Sequence, residues 1–488
     1  MRLWPLLLLP AFAVSAFAAD TSRFDRFFED RTLRVDYVHY GAAKDETIAL
    51  DRLFRGGIWA GSRVHLTDDA DLGEYRVRLY DAASNELIFS RSFNSYFGEW
   101  KTSEPALRGV RRAYHESALV PLPKAKARFV VEDRGRDDKY HKLFETTIDP
   151  TSYEIATLAP PRDVKVYEQW IGGDPHASVD IVFVGEGYAA AEEAKFRADL
   201  ERYTAIFFSQ EPYKRLKDKF NIRGALRFSE ESGCSEPSRG VYKRTALGAT
   251  YDSLGSERYM LTEDNRDLRD IAGAVPYDAV FVMVNQKRYG GGGIYNFYCT
   301  FATDNQWSPY IFLHEFGHSF AGLADEYFTS SVAYVDLPTT TVEPREPNVT
   351  VLPKGRPLKW ADLATAGTPV PTPWEKGGFE VLDLGLQKER ETLNKRIAAR
   401  MREGAPQGEV DALKAQAEEL STEHAKLVDA YLAKSKFKGQ VGAFEGANYI
   451  AHGFYRPALD CIMFTKGAKP FCPVCARAIE RTIARYGE

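Results

Sequence analysis

The chain has 488 residues, enough for two or three domains with separate cores. It is 44% hydrophobic and 27% charged, a composition typical of a soluble globular protein. The net charge of −5 and the isoelectric point of about 6.1 argue against a nucleic-acid partner and against binding to an anionic membrane surface.

The N-terminus has the features of a secretory signal peptide. Arg2 supplies a positive charge, residues 3–12 form an apolar run too short to span a bilayer, and Ala16 and Ala18 are the small residues that precede a cleavage site. No later segment is long and apolar enough to be a membrane helix. We therefore predict a signal peptide over residues 1–18 and an exported mature protein, periplasmic or extracellular, without a membrane span.

The next part of the chain is rich in strand-like segments. They alternate apolar with polar residues, contain many β-branched and aromatic side chains, and are separated by polar turns. The clearest of them cover residues 32–41, 75–82, 86–93 and 127–133. Because no long helix intervenes, we predict a β-sandwich domain over residues 20–158, which ends at the sequence APPRD.

From residue 164 to 488 strands mix with helices, which predicts a second domain of α/β type. An apolar strand at 179–188 ends in Gly-x-Gly and leads into a helix at about 189–208. The third glycine of a dinucleotide-binding motif is missing, so we interpret this feature as a tight strand-to-helix turn. Further strands are predicted at 221–228, 277–285 and 294–301.

A glycine run at 290–293 follows the strand at 280–285. Two interpretations remain open. The strand could lie at the edge of a sheet and hold an extended peptide through backbone hydrogen bonds, or it could be internal and followed by a mobile turn.

The sequence PYIFLHEFGHSFAGLADEY, residues 309–327, carries the strongest chemical signal. His314 and His318 are one helical turn apart and therefore lie on one face, where two imidazoles can bind one Zn²⁺. Glu315 is next to the first histidine, where it can act as a general base on water without occupying the metal.

A catalytic zinc needs a third protein ligand as well as an open position. Gly322 can end the helix in a left-handed conformation, after which Asp325 can return a side chain to the metal. Glu326 is the rival ligand. Tyr327 either closes the site or simply packs.

Residues 379–436 contain two charged helices around the sequence GAPQG. Leucines and other apolar residues recur at helical spacing, which predicts an inserted antiparallel hairpin. The hairpin either packs mainly on itself or serves as an arm that contacts a partner or substrate.

The chain contains five cysteines. Cys472-Pro-Val-Cys475 is compatible with redox activity, zinc binding or a disulfide, and a structural zinc would need a fourth ligand beside Cys461. We expect a disulfide from Cys461 to Cys472 or Cys475, and a second between Cys234 and Cys299. His452 is expected on the surface.

Taken together, the motifs HEFGHSFAGLADEY, FEGANY (444–449), YRP (455–457), CIM (461–463) and FCPVC (471–475) resemble the M64 family of IgA-peptidase-like metallopeptidases, of the metzincin type. The resemblance covers nearly the whole mature chain except the hairpin. It implies a zinc endopeptidase, a methionine turn with Met463 beneath the metal, and an N-terminal domain like the one that often accompanies this family.

The hypothesis is an α+β multidomain protein, in which a β-sandwich precedes a metzincin-like α/β zinc-peptidase domain with an inserted helical hairpin. One Zn²⁺ would be held by His314, His318 and Asp325, with Glu315 as general base, and the substrate would be a protein or peptide. The alternatives are a catalytically silent protein that binds a surface ligand and a zinc amidase that acts on cell-wall peptides.

Overall fold

The computed structural model describes residues 21–159, 161–330 and 332–487, so the predicted signal peptide lies outside the described residues. The molecule is a multidomain protein of mixed α/β type with several sheets. Within the described ranges, no helix combines the length and the apolar character needed to cross a membrane.

The first part of the chain forms eight strands and three short helices. The strands are β1 (Phe28–Ala42), β2 (Asp45–Arg55), β3 (Tyr75–Asp81), β4 (Leu87–Phe93), β5 (Arg112–Pro123), β6 (Ala127–Arg134), β7 (Tyr140–Ile148) and β8 (Ile155–Thr157). The helices are α1 (Ser22–Phe27), α2 (Tyr96–Lys101) and α3 (Glu104–Leu107).

These strands make two four-stranded sheets, in the orders β5-β1-β2-β8 and β4-β3-β6-β7. One hydrophobic cluster joins them, since it contains Val35 and Val120 from the first sheet and Leu79 and Phe129 from the second. The predicted strands correspond to β1, β3, β4 and β6, whereas β2, β5, β7 and β8 were not predicted.

A six-stranded sheet forms the centre of the second part, in the order β13-β14-β12-β10-β11-β9. Its strands are β9 (Lys165–Ile171), β10 (Val179–Glu186), β11 (Phe220–Leu226), β12 (Ala279–Val284), β13 (Gly291–Ile294) and β14 (Tyr298–Ala302). The four inner strands are parallel, and β9 and β13 run antiparallel at the edges. Every residue of β10 is buried, which explains its continuous apolar sequence.

Three helices accompany this sheet: α4 (Glu193–Ser209), α5 (Asn265–Ala272) and α6 (Ser308–Ala321). The predicted turn between β10 and α4 is confirmed, with Gly187 at a left-handed φ of +72°. The predicted histidine helix is α6.

The glycine run forms edge strand β13, so the mobile turn that one of the two interpretations placed here is wrong. The strand β12 is internal, as one of the two interpretations held. Glycine is required at positions 291 and 293 because the backbone of β13 lies in close contact with α6. A Cβ on Gly291 would lie 2.6 Å from Ile311 Cγ2, and a Cβ on Gly293 would lie 2.4 Å from the Glu315 carbonyl oxygen.

The predicted helical insertion consists of α7 (Lys376–Arg402) and α8 (Gln407–Leu432). At its outer end Leu393, Ile397 and Leu413 form a small cluster of their own. At its base Phe379 and Val428 belong to the main core of the second part. The hairpin therefore packs both on itself and on the body of the protein.

The chain ends with a two-stranded sheet of β15 (Val441–Ala447) and β16 (Ile450–Ala458), followed by helix α9 (Pro473–Tyr486). The hairpin between β15 and β16 carries the FEGANY motif. The connection from β16 to α9 contains Cys461 and Met463.

Candidate metal centre

Helix α6 is held rigidly on the central sheet by aromatic packing. Pro309 lies in its first turn. The rings of Phe312 and Phe316 stack near Phe281 of β12, with centroids 4.6 and 4.7 Å away. These contacts fix which face of α6 points away from the sheet, and that face presents the two histidines.

His314 and His318 direct their Nε2 atoms toward a common point. These atoms are 3.1 Å apart. The Nδ1 of His314 is 3.0 Å from the carbonyl oxygen of Ile462, and the Nδ1 of His318 is 2.6 Å from that of Leu323. A carbonyl can only accept a hydrogen bond, so Nδ1 carries a proton in both rings and Nε2 is available as an electron-pair donor.

Gly322 ends α6, as the sequence predicted. It has a left-handed φ of +59°, and its N–H donates to the His318 carbonyl at 3.1 Å. The turn brings Asp325 back to the histidines. Its Oδ1 lies 3.0 Å from His314 Nε2 and 3.3 Å from His318 Nε2.

Glu326 points to the opposite side of the same loop. Its Oε1 lies 3.0 Å from Asn348 Nδ2 and 3.2 Å from the sulfur of Cys475. Of the two carboxylates that the sequence left open, Asp325 is therefore the one that faces the histidines.

Glu315 lies in the same pocket but farther out. It offers a carboxylate oxygen within 4.8 Å of both imidazoles. Burial raises the pKa of this carboxyl, against the opposing charges of the two histidines. A carboxylate at this place can exchange a proton with a water beside the imidazoles.

The opposite charges of His318 and Asp325 shift the pKa values of both groups. Burial alone would lower the pKa of His318, but the charge of Asp325 raises it to about 9. Burial also acts to raise the pKa of Asp325, yet the charges of His318 and His314 hold it well below its usual range. The pocket therefore stabilises the ionised carboxylate of Asp325 next to a positive charge.

The donor set fits a metal ion. The buried Oδ1 of Asp325 accepts no hydrogen bond from any described residue, although both Nε2 atoms are near it. Ligand atoms around a tetrahedral zinc with bonds of about 2.0–2.1 Å lie roughly 3.3 Å apart. The corresponding separations here are 3.0, 3.1 and 3.3 Å.

Tyr449 is a site residue that sequence reasoning did not single out. Its hydroxyl donates to Asp325 Oδ2 at 2.6 Å, which leaves Oδ1 turned toward the histidines. Asn448 and Tyr449 both have positive φ values, +51° and +66°, an uncommon conformation for residues other than glycine. The signal in the sequence is the FEGANY motif at residues 444–449, which ends in this tyrosine.

Tyr327 borders the same pocket. Its ring is nearly parallel to that of His314, with centroids 6.4 Å apart, and its hydroxyl accepts a hydrogen bond from Arg258 at 2.8 Å. Arg258 thus places a positive charge at the wall of the pocket.

Met463 is fully buried beneath α6. Its sulfur would be 2.9 Å from a Cβ on Gly317, the residue before His318. Its carbonyl oxygen accepts the N–H of Glu326 at 2.9 Å. The turn that contains Met463 therefore contacts both the helix and the loop of the candidate centre.

Two further expectations concern residues outside the pocket. His452 is on the surface as expected, with 80% of its side chain exposed. The expected disulfides are absent from the part of the chain that the structure describes, because each of the five cysteines is a free, buried thiol.

Two family profiles match the chain. The profile described as IgA Peptidase M64 matches residues 169–483, and the profile described as Peptidase M64 N-terminus matches residues 23–145. No curated protein sequence matches at a significant level.

Proposed function

Because the chain belongs to the IgA peptidase M64 family and is thus a peptidase, we propose that it is an exported, zinc-dependent endopeptidase of metzincin type. The observation that carries this proposal is the convergence of three donor atoms, from His314, His318 and Asp325, at separations of 3.0–3.3 Å. Export rests on the predicted signal peptide over residues 1–18.

The two histidines and Asp325 would hold the ion. When bound, zinc supplies Lewis acidity, which lowers the pKa of water and stabilises negative charge on the carbonyl oxygen of the substrate. The hydrogen bonds from Nδ1 to the carbonyls of Ile462 and Leu323 keep each imidazole in the required tautomer and orientation. The hydroxyl of Tyr449 donates a hydrogen bond to Asp325 and thereby holds this carboxylate in its orientation.

Glu315 is the proposed general base. Its carboxylate accepts the proton of the water that attacks the scissile carbonyl, and then delivers this proton to the leaving amide nitrogen. Its position within 4.8 Å of both imidazoles supports this role. Its enclosure supports it too, because a raised pKa brings a carboxyl closer to neutral pH.

Edge strand β13 is the proposed docking site for the peptide. It runs along α6, and the backbone of Gly293 contacts Glu315 and His318 closely enough that a Cβ would not fit. Gly291 already bridges to Tyr259 on its outer side. An extended peptide that pairs with residues 292–294 would bring its backbone next to the proposed base.

The remaining finer predictions belong to the same proposal. The two sheets of the first domain would form a β-sandwich, and the second domain would have the metzincin arrangement with Met463 beneath the metal. The substrate class is protein or peptide. The family assignment favours neither the silent binding protein nor the cell-wall amidase.

The proposal is tested by incubating the purified protein with casein and with a peptide library. We expect internal peptide bonds to be cleaved, cleavage to stop on treatment with a chelator, and activity to return when Zn²⁺ is added. Cleavage that persists after complete metal removal would contradict the proposal, as would failure of the zinc-loaded protein to cleave either substrate.

A further inference from the structure

A second cluster of metal-binding side chains lies on the other side of the Asp325 loop. It consists of Glu326, Cys461, Cys472 and Cys475, each at most 5% exposed. One ligand atom from each of these residues lies within 4.8 Å of the others. The family profile matches give this cluster no role, and the proposed peptidase mechanism does not use it.

We propose that these four side chains bind a second Zn²⁺, which has a structural role. Three sulfurs and one oxygen are a complete tetrahedral donor set, so the site is closed and leaves no position for a substrate. Sulfurs around a zinc with bonds of about 2.3 Å lie roughly 3.8 Å apart. The sulfurs of Cys461 and Cys475 are 3.9 Å apart, and Glu326 Oε1 is 3.2 Å from the sulfur of Cys475.

Glu326 gives an independent reason for a cation at this place. The residue is completely buried, and its Oε2 has no hydrogen-bond partner among the described residues. Arg456 is also buried, but its guanidinium donates to backbone carbonyls, among them that of Gly446 at 2.7 Å. A buried carboxylate without a bonded cation is costly, and an ion between the sulfurs removes that cost.

The start of α9 is arranged to hold thiolates. Cys472 precedes the first residue of the helix and Pro473 lies in the first turn. The N–H of Cys475 points at the sulfur of Cys472 at 3.5 Å, and the N–H of Cys472 points at the sulfur of Cys461 at 3.3 Å. Backbone N–H groups and the positive end of the helix dipole both favour a deprotonated sulfur.

A disulfide or a redox function accounts for the cluster less well. A disulfide would use two of the three sulfurs and leave the third as a thiol beside the buried Glu326. A redox-active cysteine must reach its partner, whereas Cys461, Cys472 and Cys475 are 1%, 5% and 0% exposed. Thiolate-rich donor sets of this kind select zinc over calcium or magnesium.

The second ion would join the segments that build the catalytic centre. Glu326 directly follows Asp325, and its N–H bonds to the Met463 carbonyl at 2.9 Å. Cys461 directly precedes Ile462, whose carbonyl accepts the hydrogen bond of His314. A zinc bound to Glu326, Cys461 and α9 therefore fixes the Asp325 loop and the methionine turn relative to each other.

The test separates the two sites by removing the catalytic ligands. We expect about two zinc ions per chain in the purified protein by elemental analysis and about one in the double variant His314→Ala/His318→Ala. Replacing the remaining metal of that variant with Co²⁺ should produce the strong near-ultraviolet absorption of thiolate-bound cobalt. The variant Cys234→Ser, which removes a buried cysteine outside the cluster, should leave the metal content unchanged.

Results of two kinds would overturn the second site. One is a double variant that folds but contains no zinc. The other is a disulfide among Cys461, Cys472 and Cys475 in the intact mass of the native protein. Neither result bears on the catalytic site, whose metal is measured as the difference between wild type and double variant. If the double variant fails to fold, the sulfur coordination of zinc in the wild-type protein, measured by X-ray absorption, decides the question.

Discussion

Glu315 and Asp325 are two carboxylates in one pocket, and their different distances from the imidazoles separate their roles. Asp325 Oδ1 is 3.0 and 3.3 Å from the two Nε2 atoms, within reach of a shared ion. Glu315 is only partly buried beside them, with a carboxylate oxygen within 4.8 Å of both imidazoles, which suits a group that moves a proton.

The variant Glu315→Gln should therefore retain its metal and lose hydrolysis. An amide of the same shape cannot accept the proton of water, so we expect kcat/KM to fall by about 10²–10⁴-fold. Elemental analysis should give the wild-type metal content. The surface exchange Glu154→Gln is the control and should leave both quantities unchanged. A Glu315→Gln enzyme of normal activity would exclude Glu315 as the base.

The variant Tyr449→Phe tests the support of the third ligand. It removes the hydroxyl that donates to Asp325 Oδ2 at 2.6 Å, so the carboxylate is held less firmly. Loss of such a supporting hydrogen bond weakens metal binding by about 10–100-fold. Competition with a chelator measures this change, and excess zinc should restore most of the activity. Tyr153→Phe, at a ring that is 96% exposed, is the matched control. Equal zinc affinity of Tyr449→Phe and wild type would contradict the assignment.

At the scale of the elements, edge strand β13 packs closely against helix α6. In the variant Gly293→Ala the new Cβ would lie 2.4 Å from the Glu315 carbonyl oxygen and 3.0 Å from His318 Cβ. Strand and helix would have to separate, which we expect to cost about 1–3 kcal/mol of unfolding free energy and to lower activity. Chemical denaturation and a peptidase assay measure the two effects.

Gly385→Ala is the matched control for this substitution. Gly385 lies inside α7, and a Cβ there meets nothing within 4 Å. Alanine favours a helix interior, so this variant should gain about 0.5–1 kcal/mol. A Gly293→Ala protein as stable as wild type would mean that the contact between β13 and α6 can relax freely.

The elements that could be predicted from the sequence are those with a strong local pattern. Strand β10 is buried throughout and reads as one apolar run, and α6 is bounded by Pro309 and Gly322. Strand β2 was missed because Ile48 is its only buried residue. Strand β13 was missed because its glycines have a low strand propensity, and close packing on α6 requires them.

The residues of the candidate site likewise fall into those that a local sequence pattern predicts and those that only the tertiary structure brings together. His314, Glu315, His318 and Asp325 lie within one short segment, so their spacing predicts their proximity. Tyr449 reaches Asp325 from the β15–β16 hairpin, more than a hundred residues later, and no local pattern reports this contact. The proximity of Glu326 to three cysteines of the C-terminal region is likewise a product of tertiary structure.

At the scale of the whole molecule, the first domain forms part of the surroundings of the candidate centre. The Asn296 side chain donates to the Ser92 carbonyl at 2.7 Å. Tyr334 donates to Glu99 of α2 at 2.6 Å, and its ring lies 5.6 Å from that of Tyr449. The position of α2 is thus linked to the residues that orient Asp325.

An ion-pair network inside the first domain holds α2. His39 is 1% exposed, with Nδ1 3.0 Å from Glu116 and Nε2 2.8 Å from Glu46. The ring of Phe97, in α2, stacks on His39 at a centroid distance of 3.9 Å. Burial alone would lower the pKa of His39, but the two carboxylates raise it to about 9.

This network predicts a loss of stability in alkaline solution. The folded protein binds the proton of His39 more tightly than the unfolded chain, whose histidine pKa is about 6.5. The stabilisation is complete below about pH 6.5 and is lost as the pH rises toward 9, by about 3 kcal/mol in total. Denaturation over this pH range measures the loss. His39→Gln should be less stable at pH 6 and should lose less stability than wild type as the pH rises toward 9, whereas the exposed His65→Gln should follow wild type. Parallel pH profiles of His39→Gln and wild type would refute the role of His39.

The central claim is that His314, His318 and Asp325 bind one zinc ion. The most direct test is anomalous diffraction at the zinc absorption edge from crystals of the unchelated protein. We predict a peak about 2.0–2.2 Å from both Nε2 atoms and from the Asp325 carboxylate, with Glu315 outside bonding distance. A pocket without a peak, or a peak whose ligands exclude Asp325, would contradict the claim.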